Sequence, residues 1–346
     1  MIVKKATPLI HQTDLFHPHA DPDDHWDLAT VFSLAVSGYL DLRAVLIDYP
    51  PSIRHGDPAI CAVSQMNHIT GLAVPSAVGI PVNAAGYFDD RGCVSPSESS
   101  GVGILIDLLR ESDEPVAISI AGSCRDIAIA GSLEPELFRE KCRAIYLNAG
   151  TSSNDMNLRT RKEYNVTLDP AAYSLIWNIP CPVYWLPCFE SVRPPSGDRF
   201  AAGKNSSWYS FKHEDILCDL SAEVQQFFLY MYENSADYRW LSYLHRPADE
   251  RLLSYYAAVD RNMWCTAGFL HAAGLTASHS GEISTPSAAT TDGVFSFAPV
   301  SLTCSTSAET QWEPCGDSLH NILTLNDVEC YPTAMTSALK SLLIQL

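Results

Sequence analysis

The chain has 346 residues, of which 47% are hydrophobic, and a formal net charge of −18 from 22 basic and 40 acidic residues. This size and apolar content suffice for a large core, and we expect a single domain over residues 1–346. Nucleic acid and membrane are excluded as main partners, because phosphates bind clustered Lys and Arg and the sequence has no long basic run. No segment approaches the roughly 18 apolar residues of a membrane span.

The first half of the chain alternates short apolar runs with helical patterns. Runs that are apolar on both faces predict buried strands over residues 8–13, 42–49, 116–122, 143–150 and 182–189. Helical patterns between them predict helices over residues 24–37, 101–110, 126–130, 134–142 and 171–177. This alternation predicts an α/β fold, with an open, mostly parallel sheet flanked by helices.

The second half of the chain differs in composition, with longer loop-like segments between its helical patterns. Residues 191–207 and 275–293 are rich in Pro, Gly, Ser and Thr and predict loops, and helical blocks are expected over residues 222–233 and 250–273. The tail, over residues 294–303 and then 319–346, predicts one or two strands and a terminal helix. No internal repeat or strong linker interrupts the chain.

The cysteine pattern bears on the compartment. The chain has 11 cysteines, an odd number, and no Cys-x-x-Cys pair. A long chain without disulfide-like spacing is typical of reduced, intracellular proteins. The N-terminal sequence MIVKKATPLI also lacks an apolar stretch long enough for a signal peptide. We therefore expect a cytoplasmic protein.

The turn after the first predicted strand, TDLFHPHADPDDHWDLA, is crowded with acidic side chains. Its aspartates are Asp14, Asp21, Asp23, Asp24 and Asp27. Carboxylates this close repel one another unless a cation neutralises them or some stay protonated. A hard divalent cation, Ca²⁺ or Mg²⁺, is the usual solution, since both take oxygen ligands. The alternative for any single aspartate is a helix N-cap or a solvated side chain, but the cluster as a unit favours metal or ligand binding.

Histidines in the same turn offer a different metal chemistry. They are His17, His19 and His25. Imidazole nitrogens bind zinc, but this spacing matches no common zinc pattern, and the surrounding oxygen atoms suit a harder ion. We therefore favour Ca²⁺ or Mg²⁺ over Zn²⁺ at this turn.

A second polar segment, NAGTSSNDMNLRTRKEYNVTLDPAAYSLI, follows the fourth predicted strand. It contains Asn157, Glu163 and Asn165. The carboxyl ends of parallel strands lie at one edge of the sheet, where ligands bind, so we expect these residues at the same edge as the acidic turn. Sugar hydroxyls both donate and accept hydrogen bonds, and carboxamide and carboxylate groups serve both needs. The segment suits a sugar site; the alternative is a polar surface loop.

Together these segments resemble the inosine–uridine-preferring nucleoside hydrolases. That family has an Asp-rich turn of the form Asp-x-Asp-Pro-Gly-x-Asp-Asp after its first strand, and PLIHQTD followed by DPDDHWDLA resembles it with residues 15–20 inserted. The resemblance implies that Asp14 is a calcium ligand and general base, that Asp24 binds the metal and that Asp23 holds the ribose. VAISIAGSCRDIAIA resembles the family's Gly-Pro-Leu-Thr-Asn-Ile-Ala segment, which implies that the backbone carbonyl of Arg125 binds calcium.

The second polar segment carries the sharpest part of the resemblance. Asn157, then EYN at residues 163–165, then DPAA at residues 169–172 match the family's Asn, Glu-Phe-Asn and Asp-Pro-x-Ala-Ala, with Tyr164 for the usual Phe. The resemblance implies that Asn157, Glu163 and Asn165 bind ribose hydroxyls. It also implies a nucleoside-hydrolase-like fold over most of the chain, a Ca²⁺ cofactor with Mg²⁺ as the alternative, and a homo-oligomer.

One family feature is absent from the sequence. The family has a His-Asp-Pro near the start of a late helix, where the His aids the leaving base and the Asp completes the calcium site. The best counterpart, AVDRNMWCTAGFLHAAG, has no His-Asp pair, and Met263 and Trp264 fall about where it would be. Residues that could substitute for the pair are Asp21, Asp27, Asp260, Asn262 and His271. Candidates for assisting the leaving base are His17, His19, Trp264 and His271.

The predicted function is hydrolysis of the N-glycosidic bond of a ribonucleoside or related ribosyl compound, with a bound divalent cation. The predicted partner is therefore a small-molecule nucleoside or ribosyl substrate. The first alternative is a non-catalytic ribosyl-ligand or metal-binding protein on the same fold, which has lost the late His-Asp corner. The second is a hydrolase of another glycoside, which the enlarged first loop permits.

Overall fold

The structure is a computed structural model that describes residues 5–19, 21–51, 56–89, 100–155, 159, 162–191, 203–233, 235–247, 249–286 and 293–346. The predicted ribose ligand Asn157 lies outside these residues, as does most of the loop predicted over residues 191–207. Within the described part, no helix has the length and apolar character needed to cross a membrane.

A nine-stranded sheet forms the centre of the fold, with short two-stranded sheets beside it. The strands of the described residues are β1 (Thr7–Thr13), β2 (Phe16–His17), β3 (Leu40–Ile47), β4 (Asp57–Pro58), β5 (Ser76–Val78), β6 (Val116–Ala121), β7 (Cys142–Asn148), β8 (Val183–Leu186), β9 (Tyr209–Lys212), β10 (Asp260–Met263), β11 (Thr276–Ala277), β12 (Ile283–Ser284), β13 (Phe295–Cys304), β14 (Thr310–Pro314) and β15 (His320–Leu325).

Helices connect and cover these strands. Those of the described residues are α1 (Asp23–Val36), α2 (Ile60–Thr70), α3 (Ala84–Asp89), α4 (Ser100–Glu111), α5 (Arg125–Leu133), α6 (Pro135–Lys141), α7 (Tyr164–Leu168), α8 (Pro170–Ile176), α9 (Ala222–Tyr232), α10 (Trp240–Tyr243), α11 (Glu250–Ala257), α12 (Thr266–Ala272) and α13 (Tyr331–Leu343). Two 3₁₀ helices, His213–Asp215 and Leu217–Asp219, follow β9.

The order of the large sheet is β14-β13-β15-β8-β7-β6-β1-β3-β5. From β15 to β5 every neighbouring pair is parallel, whereas β13 pairs antiparallel with both β15 and β14. The predicted open, mostly parallel α/β sheet is therefore confirmed. Because β1, β6, β7 and β8 are adjacent and parallel, their carboxyl ends meet at one edge.

Both faces of the sheet are covered, which explains the unbroken apolar runs in its strands. In β1, Leu9 belongs to one buried hydrophobic cluster and Ile10 to another, and Val45 and Leu46 of β3 divide in the same way. Successive side chains of a strand point to opposite faces, so each strand needs apolar residues at both parities.

The helical block predicted over residues 250–273 is wrong in its middle. The structure has α11, then the strand β10, then α12. β10 pairs antiparallel with β9, so that Asn262 lies opposite Ser210 and Met263 opposite Tyr209. Local pattern favours a helix here, but the tertiary partner far earlier in the chain selects a strand. The predicted elements also contain no counterpart of α2, α3, β5 or β14.

One buried tryptophan fixes helix α1. Trp26 is fully buried, and its ring stacks against Phe228 with centroids 4.2 Å apart. Its other stacking partner is His213 at 5.5 Å, and its Nε1 donates to the Tyr232 hydroxyl at 2.8 Å. The first turn of α1 carries two aspartates of the acidic turn, so this packing also positions those carboxylates.

We expect Trp26→Ala to lower the free energy of unfolding by about 3–5 kcal/mol, because it removes a fully buried aromatic ring and leaves a cavity. Denaturant unfolding followed by circular dichroism measures the change. The control is Tyr255→Ala, since this side chain is 68% exposed and its loss should cost less than about 0.5 kcal/mol. Equal costs for the two variants would contradict this role of Trp26.

Candidate active site

A cavity of about 270 Å³ lies at the carboxyl ends of the central strands. The residues that end or follow β1, β6, β7 and β8 contribute Asp14, Ala121, Asn148 and Cys188 to its lining. The rest of the lining comes from three further segments, namely Asp21, Asp23, Asp24, Glu163, Tyr164, Asn165, Asn262, Trp264 and Cys265. Open parallel sheets bind ligands at this edge, so the cavity is the candidate site.

The acidic turn supplies one wall of the cavity. Asp14 and Asp24 are only 5% and 4% exposed. Asp24 Oδ1 accepts a hydrogen bond from the Thr13 hydroxyl at 2.7 Å. Burial, with added repulsion from the Asp14 carboxylate, raises the pKa of Asp24 well above its usual range, and the Thr13 hydrogen bond lowers it. The wall therefore holds protons or a cation rather than several bare charges.

Asp23 has the least satisfied carboxylate of this wall. Its Oδ1 is buried and has no hydrogen-bond partner among the described residues. Burial raises the pKa of Asp23 well above its usual range, and the neighbouring Asp21 and Asp24 raise it further. A buried oxygen without a partner is costly unless a ligand or ion completes it.

One basic side chain meets the acidic wall, and the sequence did not predict it. Arg261 of β10 is 7% exposed, and its Nη2 donates to Asp21 Oδ1 at 3.0 Å. Its Nε donates to the carbonyl of Asn262, also at 3.0 Å. The guanidinium lowers the pKa of Asp23 against the larger effects of burial and of the other carboxylates. Only the pairing of β9 with β10 brings Arg261 to this place, so no local signal could have found it.

The second polar segment forms another part of the lining. Glu163 caps α7, accepting from the backbone N–H of Asn165 on Oε1 and from that of Gly150 on Oε2, both at 2.9 Å. Burial raises the pKa of Glu163, and these N–H groups lower it. Asn165 Nδ2 donates to the carbonyl of Asn148 at 3.0 Å. Gly150 has φ +78, a left-handed conformation that glycine adopts without strain.

The segment after β10 corrects the sequence alignment of the late corner. Met263 is fully buried in the core, and Trp264 and Cys265 line the cavity instead. Trp264 Nε1 donates to the carbonyl of Cys188 at 3.1 Å, and the Cys265 thiol donates to Asn148 Oδ1 at 3.3 Å. Burial raises the pKa of Cys265 well above its usual range. An indole and a neutral thiol therefore stand in this corner.

Several predicted site residues do not line the cavity; they are His17, Asp27, Arg125 and Asp260. His17 Nε2 contacts a backbone carbonyl of the loop after α9 at 2.5 Å. Arg125 begins α5, and its guanidinium forms a buried ion pair with Asp169 at 2.9 Å. Asp260 is exposed at the start of β10, and Asp27 is fully buried.

The candidates for assisting a leaving base divide in the same way. Trp264 lines the cavity. His19 Nδ1 contacts the carbonyl of Met231 at 3.1 Å, and His271 Nδ1 contacts the Tyr146 hydroxyl at 3.0 Å. The wall that the described residues form contains no histidine.

The donor atoms of the wall suit a hard divalent cation. Asp14 and Asp24 offer carboxylate oxygens, and the buried Oδ1 of Asp23 has no partner among the described residues. In the described part of the chain, no three carboxylate, thiol or imidazole ligand atoms of the cavity lie within 4.8 Å of one another.

Asp27 makes the stability of the site depend on pH. Burial raises the pKa of Asp27 from its usual 3.8 to about 7, while the Cys265 thiol and Arg261 lower it. Between its usual pKa of 3.8 and the folded pKa of about 7, the folded state therefore keeps a proton that the unfolded chain has already lost. The free energy of unfolding contributed by this group is present at low pH and falls as the pH rises towards 7.

We expect Asp27→Asn to raise the free energy of unfolding at pH 8 in chelator, by about 4 kcal/mol at most, since a pKa shift of about three units has that value. Little change is expected near pH 3, below the usual pKa of 3.8, where the carboxyl is mostly protonated in both states. Unfolding curves at the two pH values measure the difference. Asp260→Asn, which changes an exposed carboxylate, is the control. A gain of the same size at both pH values would contradict the assignment.

No family model matches the chain. A stretch of 88 residues is 30% identical to the pyrimidine-specific ribonucleoside hydrolase RihA of Enterobacter sp. (strain 638). This stretch is 25% of the present chain, and the match spans only 28% of that relative's length.

Solved structures align over nearly the whole chain. The purine-preferring ribonucleoside hydrolase from Gardnerella vaginalis has a TM-score of 0.57 at 14% identity, over 98% of this chain and 99% of that one. The type III effector protein XopQ, solved in complex with adenosine diphosphate ribose, has a TM-score of 0.53 at 13% identity, over 98% and 95%. At these identities the similarity establishes the fold alone. The family resemblance of the sequence is confirmed at that level: the chain has the nucleoside-hydrolase fold.

Proposed function

We propose that this protein hydrolyses the N-glycosidic bond of a ribonucleoside or related ribosyl compound, with a divalent cation held by Asp14 and Asp24. The observation that carries the proposal is the cavity itself. It combines buried carboxylates of the acidic turn with Glu163 and Asn165 at the carboxyl edge of a nucleoside-hydrolase fold. The names of similar proteins support the same reaction class.

The acidic wall carries the chemistry in this proposal. A bound Ca²⁺ or Mg²⁺ supplies positive charge that acidifies water and holds sugar hydroxyls. Asp14 takes the proton of the attacking water as general base. As the C–N bond breaks, positive charge develops on the sugar ring, and the carboxylates of Asp23 and Asp24 stabilise it.

The second polar segment positions the ribose. Glu163 is held by three backbone N–H groups, those of Gly150, Asn165 and Val166, so its carboxylate is fixed before substrate arrives. Asn165 is anchored through its Nδ2 and offers its Oδ1 as an acceptor. We include Asn157 and Asp23 as ribose ligands on the strength of the sequence motif. Fixed hydroxyl ligands lower the entropic cost of reaching the reactive geometry.

The leaving base meets an aromatic side chain. Of the residues considered for base departure, Trp264 is the one that lines the cavity. Its indole N–H donates to a backbone carbonyl, which fixes the orientation of the ring in the cavity lining and occupies the N–H. We therefore assign Trp264 to base stacking rather than to proton transfer.

We also retain the homo-oligomer and the cytoplasmic location as predictions.

A second candidate function is a non-catalytic ribosyl-ligand protein on the same scaffold. The observation in its favour is the late corner, where Trp264 and Cys265 provide neither an imidazole nor a carboxylate, and where Arg261 already pairs with Asp21. XopQ, a protein of the same fold, was solved in complex with adenosine diphosphate ribose.

We expect Asp14→Asn to lower the rate of sugar release by roughly 10²–10⁴-fold, the usual contribution of a general base. Reducing-sugar assays on a panel of ribonucleosides measure release. The matched control is Asp260→Asn, an exposed carboxylate outside the cavity, which should retain the wild-type rate. If Asp14→Asn releases sugar as fast as wild type, Asp14 is not the base.

Chelation separates the two candidate functions. For the hydrolase, we expect chelator to abolish sugar release and Ca²⁺ or Mg²⁺ to restore it, because the carboxylate wall needs a cation. For the binding protein, calorimetry should show ribose or adenosine diphosphate ribose binding with no release from any substrate at high protein concentration. Release that persists fully in chelator would contradict the metal-dependent mechanism.

A further inference from the structure

Two histidines and a glutamate converge on the surface outside the cavity. His68 lies in α2, Glu223 in the first turn of α9, and His245 just after α10. One ligand atom from each lies within 4.8 Å of the other two. The Nε2 atoms of His68 and His245 are 3.2 Å apart. None of the three residues lines the cavity, so the cluster is independent of the proposed hydrolase site.

The glutamate determines which nitrogen of His245 carries a proton. Glu223 Oε1 lies 3.1 Å from His245 Nδ1. A carboxylate only accepts hydrogen bonds, so Nδ1 is the protonated nitrogen. The neutral ring then presents the lone pair of its Nε2 towards His68. Metal-binding histidines characteristically donate their other ring N–H to a carboxylate in this way.

The separation of the two nitrogens suits one shared ion. With metal–nitrogen bonds of about 2.0–2.1 Å, a distance of 3.2 Å between nitrogens corresponds to an angle of about 103° at the metal, close to tetrahedral. Imidazole nitrogen favours zinc and its neighbours over calcium or magnesium. Both histidines are exposed, which leaves the remaining coordination positions open to water.

We propose that His68 and His245 bind a divalent transition-metal ion of the zinc class through their Nε2 atoms, with Glu223 orienting His245. The ion joins α2 to the segment that contains α9 and α10. Because these residues come together only in the folded chain, the ion binds the folded state and stabilises it. The competing interpretation is a plain hydrogen bond between the two imidazoles.

The test uses the full-length protein, freed of metal with chelator and titrated with Zn²⁺ by calorimetry in excess Ca²⁺, which occupies hard oxygen sites. We expect saturable binding of one ion and a rise of several degrees in the thermal unfolding midpoint. His68→Gln and His245→Gln should each remove both effects. Glu223→Gln keeps both ligands and should weaken binding by about 10–100-fold. Co²⁺ should give a visible absorption spectrum typical of nitrogen coordination.

His279→Gln is the matched control. His279 is an exposed histidine whose Nε2 lies 3.5 Å from the carboxylate of Asp327. Its loss should leave Zn²⁺ binding unchanged, whereas circular dichroism should show every variant folded. The proposal is overturned if wild type shows no saturable binding. It is equally overturned if His68→Gln and His245→Gln bind Zn²⁺ as tightly as wild type, because the pair is then only hydrogen-bonded.

Discussion

The structure depends on how the acidic turn between β1 and α1 accommodates several buried carboxyl groups close together. Asp14 and Asp24 are almost fully buried there, and the Asp14 carboxylate adds to the effect of burial in raising the pKa of Asp24. The Thr13 hydroxyl offsets part of that cost at Asp24, and the guanidinium of Arg261 pairs with Asp21 and lowers the pKa of Asp23. The packing of Trp26 keeps the turn in place, so a costly arrangement persists in one geometry. Electrostatic strain of this kind is typical of functional sites.

The strand pair β9–β10 sets the character of the rest of the cavity. The sequence predicted a continuous helical block here. The strand pair instead places Arg261 at the acidic turn and Trp264 and Cys265 in the lining of the cavity. The cavity thus has carboxylates on one wall and an apolar, thiol-bearing corner beside them. In the function that we propose, the carboxylate wall binds the polar sugar and the corner beside it receives the planar base. The asymmetry of the cavity also explains why a hydrolase and a ribosyl-ligand protein are both chemically reasonable on this scaffold.

The two metal sites that we propose differ in donor type. The cavity offers carboxylate oxygens, which suit hard cations, and the surface cluster offers two imidazoles, which suit the zinc class. The sequence turned attention to His17, His19 and His25 because they adjoin the acidic turn. Instead, His68 of α2 and His245, which follows α10, lie close together, although 177 positions separate them in the sequence. No local spacing predicts that proximity.

The sequence by itself determined the fold class and the position of the acidic turn. Alternation of strands and helices, with strands that are apolar on both faces, predicts a parallel sheet covered on both sides. Polar residues that follow the strands then lie together at the carboxyl edge of that sheet. Only the tertiary structure decided that Arg261 meets Asp21, that Asp27 and His17 lie off the cavity, and that Cys265 stands in its corner. The reason is physical: sheet periodicity is a local property of the chain, whereas pairing of β10 with β9 depends on contacts between distant segments.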